Sequence, residues 1–366
     1  MKTIGEIPCI TAAGTPYQIG YAHGSGAKER IAVSLATYRE MFWDYSGISW
    51  EQTQKIAESF VPCIENYNPD YLAEMQGIAD GAGVQFWEIL ALNVRSELVL
   101  QGGSLVSDGC TSVAVTPERT AGGVTLIGQN WDWKMSIRQA LILLRIHQEN
   151  GKPDICMMTE AGIIGKIGCN SAGLGVCLNA LSVDAAPSGV PLHIALRGIL
   201  DSQNLNDAVR AAVREKLGCC ANFLIAHRDG EALDVEVAND DFDVLYPRDG
   251  ILVHTNHFTS LRLPRAPYHD TLKRSMPNSF HRLGRLDKLV RAVEGPIGVQ
   301  DLKTAFADHA GAPFAICRHE GDEMGGLSMS TVFAIVMDLT NLTLHICPKH
   351  PCNTPFETVL LKDGGQ

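Results

Sequence analysis

Near residue 108 the chain changes its apolar period, and that change constrains the fold more than any other feature. Before it, apolar residues recur every three to four positions over 31–45, 51–66, 69–77 and 86–100. That spacing predicts helices, punctuated at Pro62 and Pro69. After it, short β-rich runs are predicted at 111–116, 124–129, 141–147, 155–159 and 174–181. Glycine pairs and Asn-Gly turns separate them, as at 122–123 and 150–151. Helices are predicted over 192–202 and 205–217, then strands over 222–226, 233–237, 244–246 and 251–254. Residues 258–278 read as a long loop. Two more helices follow over 279–293 and 299–309, and strands over 331–338 and 343–347 close the chain. Strand runs around helix pairs, joined by short turns, argue for an α+β fold of antiparallel sheets layered with helices.

The length of 366 residues and a hydrophobic share of 45% supply enough apolar material for a large core. The net charge of -11, with no Lys/Arg run longer than two, argues against nucleic acid or an anionic membrane as partner. The first ten residues lack an apolar signal core, and no stretch approaches a spanning length, so a cytoplasmic protein without a membrane segment is expected. Eleven cysteines at irregular spacings are expected to be mostly reduced and buried. No phosphate-binding loop, dinucleotide glycine motif or Gly-x-Ser-x-Gly elbow occurs, and no bound cofactor is expected. His345, Cys347, His350 and Cys352 have types and spacing that allow zinc. Pro348 and Pro351 interrupt the run, however, and no metal is expected there.

The junction itself reads Asp108-Gly109-Cys110-Thr111. Cys110 opens a strand, and a glycine before a nucleophile leaves the peptide free to adopt conformations closed to other residues. That arrangement suits attack of the Cys110 thiol on the carbonyl of Gly109, which would cut the chain. Two other strand ends carry polar residues that a hairpin does not need. In Gly128-Gln129-Asn130-Trp131-Asp132-Trp133, Asp132 suits holding a charged amine, and Trp131 suits excluding water beside it. In Val253-His254-Thr255-Asn256-His257, the Asn256 amide suits donation to an oxyanion. His254 and His257 fall on opposite sides of a regular strand, so both cannot serve one site.

Together these stretches resemble the acyl-coenzyme A:6-aminopenicillanic acid acyltransferases, the C45 peptidase group of N-terminal nucleophile hydrolases. The carrying motifs are DGCTS at 108–112, GQNWDW at 128–133, TEAGIIGKIGCNSAGLGV at 159–176, SGVPLHIALR at 188–197, VHTNH at 253–257 and PFAICR at 313–318. The resemblance implies a four-layer αββα sandwich with a helical N-terminal segment. It also implies self-cleavage between Gly109 and Cys110 into an α-chain (1–109) and a β-chain (110–366) that stay paired as a heterodimer. Cys110 would then be the nucleophile, Asp132 the group that orients its amine, Asn256 an oxyanion donor, and Arg318 a residue near substrate or nucleophile. His254 and Trp131 are further candidates at the substrate. The implied reaction cleaves or exchanges an acyl group on a small amide through an acyl-cysteine, with a coenzyme A thioester as an allowed cosubstrate. Ala221 and Ala315 stand where the acyltransferases carry serines, which argues against a penicillin precursor as substrate.

Two other readings remain open from sequence. One is an uncleaved, metal-stabilised or ligand-binding protein in which Cys110 is structural. The other is an uncleaved thiol hydrolase using His254 or His257 as base.

Overall fold

The computed structural model describes residues 2–100, 109–238, 240–320 and 329–361. Strands β1 (Thr3–Ile4) and β2 (Ile7–Gly14) open the chain. Helices α1 (Pro16–Gly26), α2 (Lys28–Ser46), α3 (Trp50–Glu58), α4 (Val61–Tyr67), α5 (Pro69–Ala82), α6 (Phe86–Asn93) and α7 (Arg95–Leu100) follow. Beyond Cys110 come β3 (Thr111–Val115), β4 (Leu126–Lys134), β5 (Leu141–Gln148), β6 (Ile155–Glu160), β7 (Ile167–Asn170) and β8 (Leu174–Ala180). Helices α8 (Leu192–Leu200) and α9 (Leu205–Val213) lead into β9 (Ala221–His227), β10 (Ala232–Ala238), β11 (Asp241–Leu245) and β12 (Ile251–His254). Helices α10 (Leu272–Ser275), α11 (Asn278–Arg291) and α12 (Val299–Phe306) precede β13 (Met329–Asp338), β14 (Thr343–Cys347) and β15 (Glu357–Leu360).

The strands form two sheets, ordered β1-β2-β5-β6-β7-β8-β9-β10-β11 and β12-β3-β4-β13-β14-β15. They pack face to face, and Gln129 of β4 joins them: its amide accepts from Leu178 N at 2.8 Å and donates to Leu178 O at 2.5 Å. Helices α8 and α9 cover the large sheet, while α11 and α12 cover the small one. The second cover encloses its own core of Val113, Val115, Leu126, Leu286, Leu302, Phe306 and Val336. This is the α+β, four-layer αββα sandwich expected from the sequence. No helix among the described residues is long and apolar enough to cross a membrane, and the eleven cysteines are free thiols.

The N-terminal hundred residues are helical but also contribute strand β2, which pairs parallel with β5 in the register Cys9↔Leu143 to Gly14↔Gln148. The sequence reading does not include this strand or helix α1, because Ile7, Ile10 and Ala12 make no regular alternation and α1 buries glycines and a histidine beside its one isoleucine. Thr15 and Gln18 form a capping box at the start of α1, with Pro16 in the first turn. The predicted 51–66 helix is broken into α3 and α4 just before Pro62, which sits in the first turn of α4. Strand β4 runs on through Trp131, Asp132 and Trp133 instead of ending at 129.

Helices α1 and α5 approach through glycines on both sides. A Cβ on Gly20 would lie 1.9 Å from Glu74 O, and one on Gly77 would lie 2.2 Å from Tyr17 O. Backbone meets backbone at these points, so no side chain can yield. Gly20→Ala is expected to lower unfolding stability by about 1–3 kcal/mol through overpacking. Gly284→Ala, on the open face of α11 with nothing within 4 Å, is expected to raise it by roughly 0.5–1 kcal/mol. Urea denaturation of the two variants checks the contrast.

Candidate active site

Strand β3 lies inside the small sheet, between the edge strand β12 and β4. The register sets Thr111 opposite Asn130 and His254 opposite Ser112. The start of β3 and the end of β12 therefore meet beside the middle of β4, where Cys110 enters the sheet. Cys110 is buried and belongs to the principal core cluster. Beside it, Gly109 must be glycine, because a Cβ there would fall 2.4 Å from Asp132 Oδ2 and 3.1 Å from Arg318 Nη1. Gly109, Asp132 and Arg318, separate in sequence, thus share one small volume.

Asp132 and Arg318 are held by the same threonine. Thr331 Oγ1 donates to Asp132 Oδ1 at 2.7 Å and accepts from Arg318 N at 2.9 Å. Thr331 N donates to Arg318 O at 2.9 Å. All three residues are buried.

The largest feature that sequence reasoning missed is Arg282. Its Nη1 donates to Gly109 O (2.9 Å), Cys110 O (2.7 Å) and Thr111 Oγ1 (2.9 Å). Its Nη2 donates to Asn256 Oδ1 at 3.0 Å, and its Nε to Asn278 Oδ1 at 3.2 Å. A sequence signal existed: Arg282 sits with Ser279, Leu286 and Val290 on the buried stripe of α11, where a charged residue needs a polar partner.

Asn256 is drawn in with the same group. Its Nδ2 donates to Ala180 O at 3.1 Å, and its backbone N donates to Ser279 Oγ at 2.8 Å. One of its two amide N–H donors is therefore engaged by a carbonyl, and the other is the one an oxyanion would use. Behind Cys110, Ser112 Oγ donates to Asn179 Oδ1 at 2.7 Å. Asn222 Nδ2 donates to Asp234 Oδ1 at 2.6 Å. Burial pushes the Asp234 carboxyl up to about 6, against the pull of His254.

His254 is placed differently from the sequence expectation. His254 Nε2 bonds Glu236 Oε1 at 2.7 Å, and Nδ1 bonds Thr255 O at 2.8 Å. Burial works to lower its pKa, but the Asp234 charge and the Glu236 bond raise it above the usual imidazole value. Both ring nitrogens are engaged, one by the Glu236 carboxylate and one by the Thr255 carbonyl, so His254 is tied into the layer behind β3. His257 bonds Ser279 Oγ at 2.8 Å, and burial lowers it to about 4. Strand alternation turns Trp131 to the face opposite Asp132. There it stacks on Trp133 at 5.9 Å and lies under Lys166 Nζ at 4.1 Å. Lys166 and Arg95 both pair with buried Glu160, at 3.0 and 3.2 Å. Burial opposes ionisation of Glu160, but the two cations hold it below the ordinary carboxylate range.

The C-terminal histidines and cysteines do not gather as a group. His345 Nδ1 bonds Thr358 Oγ1 at 3.1 Å, and Cys347 donates to Lys349 O and Thr354 O. Only Cys352 of the four joins a ligand-like cluster, and its companions are His309, Cys317 and His319.

The chain is similar to several known proteins. The family model described as acyl-coenzyme A:6-aminopenicillanic acid acyl-transferase matches residues 119–353. The chain is 34% identical over 360 residues to the acyl-coenzyme A:6-aminopenicillanic-acid-acyltransferase 40 kDa form of Emericella nidulans, covering 96% of this chain and 95% of that one. It is 22% identical over 388 residues to the beta-alanyl-dopamine/carcinine hydrolase of Drosophila melanogaster, covering 95% and 94%. Among solved structures, a variant of conjugated bile acid hydrolase from Clostridium perfringens aligns at 14% identity with a TM-score of 0.45, covering 69% of this chain and 97% of that one.

The ion pair of His254 has a pH signature. Because its folded pKa is raised, its stabilising share is complete below the unfolded value near 6.5 and drains away as pH rises through the folded value. Wild-type stability is therefore expected to fall more steeply than that of His254→Gln above about pH 7. Urea midpoints measured across that range check it.

Proposed function

The chain belongs to the acyl-coenzyme A:6-aminopenicillanic acid acyl-transferase family, and on that premise we propose that it is a self-processing acyl-transfer enzyme with Cys110 as nucleophile. The observation that carries this reading is the grip of Arg282 on the carbonyls of both Gly109 and Cys110, at 2.9 and 2.7 Å. A buried guanidinium on the Gly109 oxygen polarises that carbonyl and stabilises the oxyanion formed when a nucleophile adds to it. The nearest thiol along the chain is that of Cys110.

In the proposed cleavage, Cys110 Sγ bonds to the Gly109 carbonyl carbon and the Gly109–Cys110 C–N bond breaks. The thiol proton ends on the freed amine. Water then hydrolyses the thioester, which restores the thiol and leaves a carboxylate on Gly109. The α-chain (1–109) and the β-chain (110–366) remain one body, because many buried contacts cross the cut. Glu74 pairs with Arg197 at 2.7 Å, Tyr38 OH donates to Glu160 at 2.6 Å, and Asn93 holds both Gly162 O and Ile164 N. Strand β2 stays paired to β5.

Cleavage gives Cys110 an α-amine with an ordinary pKa of about 7.7–8.0, able to take the thiol proton. Asp132, against the α-carbon of Gly109, is positioned to hold that amine in its charged form. The thiolate attacks a small amide, the amine product leaves, and water or a second amine takes the acyl group from the cysteine. Arg318 and Asn256 flank this volume. The Emericella relative is named for acyl transfer and the Drosophila relative for hydrolysis; both outcomes follow from one acyl-cysteine.

Intact-mass spectrometry under denaturing conditions tests the proposal. Wild type is expected as two fragments joining at Gly109 and Cys110, and Cys110→Ala as a single uncut chain. Asp132→Asn is expected to be cut but to lower amide turnover on the order of 100-fold in an amide-hydrolysis assay, as loss of one positioned electrostatic group does. An uncut wild-type chain, in fresh and aged protein alike, would refute the reading.

A further inference from the structure

Four potential ligand atoms converge beyond Arg318, on the side away from Gly109. His309, Cys317, His319 and Cys352 each offer one ligand atom, all within 4.8 Å of one another. His309 Nε2 lies 3.2 Å from His319 Nε2, which lies 3.6 Å from Cys317 Sγ and 3.2 Å from Cys352 Sγ. A tetrahedral zinc with Zn–N near 2.05 Å and Zn–S near 2.3 Å would set its ligands apart by about 3.3 Å between nitrogens and about 3.6 Å between nitrogen and sulfur. The His309–His319 and Cys317–His319 separations match these values, and Cys352 Sγ lies closer to His319 Nε2 than a shared ion would set it.

The local chain explains the convergence. Cys317 N donates to Asp308 O at 2.9 Å, which closes the 308–317 loop and brings His309 beside Cys317. Arg285 holds Asp308 through two bonds of 3.0 and 2.5 Å. Cys317 and His319 join the ligand cluster, while Arg318 between them reaches toward Gly109. Cys352 arrives from the turn after β14. The His350 ring stacks on His319 at 4.1 Å, and His350 Nε2 meets Ser330 Oγ at 2.7 Å. Ser330 Oγ in turn donates to Arg318 O at 3.0 Å.

We propose that His309, Cys317, His319 and Cys352 bind one zinc ion as a closed structural site that fixes Arg318 against the nucleophile. Two imidazoles and two thiolates suit a borderline-soft ion rather than magnesium or calcium. Four protein ligands complete the tetrahedron, so the ion activates no water. Binding releases the two thiol protons and ties the 309–319 segment to the C-terminal turn. The metal and the nucleophile are separate features: zinc content reads one, and the intact mass reads the other.

The test begins with zinc analysis of full-length wild type, purified without chelator and dialysed exhaustively. About one zinc per chain is expected, with loss of that zinc in Cys352→Ser and in His309→Ala, the surface ligand. Circular dichroism reports whether the variants fold. If either fails to fold, chelator-stripped wild type is titrated with Co2+, and tetrahedral thiolate–cobalt absorption bands are expected. Metal-free wild type that gives no such bands overturns the proposal. So does zinc retained by a folded His309→Ala/Cys352→Ser double variant, or a Cys317–Cys352 disulfide in non-reduced peptide maps of fresh protein.

Discussion

A guanidinium buried without acceptors would cost several kcal/mol, and the layout around Arg282 follows from that constraint. Helix α11 lies on the outer face of the small sheet, where its Leu286 and Val290 fill the second core. The same burial carries Arg282 inward, where it meets the carbonyls of Gly109 and Cys110, the Thr111 hydroxyl and the Asn256 amide. One charge therefore locks the entry of β3 to the exit of β12. Apolar packing of the helix and placement of Cys110 are consequences of the same docking.

The surrounding polar groups show a division of labour set by strand alternation. On β4, Asn130 and Asp132 face the helical cover, where Asn130 Nδ2 donates to Phe306 O and Ile316 O. Gln129, Trp131 and Trp133 face inward, and the indoles meet Lys166 and Arg95. The acidic residue at Gly109 and the aromatic pair beneath the N-terminal helices thus belong to different neighbourhoods, although they are consecutive in sequence. The Glu160 ion pairs on the inner side bind the N-terminal segment to the rest of the fold, which is what a chain cut at Gly109 would need to stay whole.

Much of this was legible in the sequence. The helix-to-strand change near 108 and the antiparallel layering follow from side-chain period and turn residues, both local properties. The Cys110, Asp132, Asn256 and Arg318 neighbourhood was reachable through motifs, because each lies at the end of an apolar run where a polar residue stands out. His254 stood out for the same reason but serves the Glu236 ion pair instead. Strand β2 was not legible, because Ile7, Ile10 and Ala12 make no regular alternation and its partner lies more than a hundred residues away.

The sequence by itself determined where helices give way to strands, and that a glycine–cysteine pair with strand-like flanks stands at that boundary. These depend on neighbours a few residues apart. Only the tertiary structure decided that Arg282, 172 residues from Cys110, grips its carbonyl, and that Cys352 meets His309, Cys317 and His319 rather than the His345, Cys347 and His350 beside it in the chain. Both are set by how α11, the loop after α12 and the C-terminal turn dock on the small sheet. That docking is the sum of many packing contacts, and no stretch of chain encodes it alone.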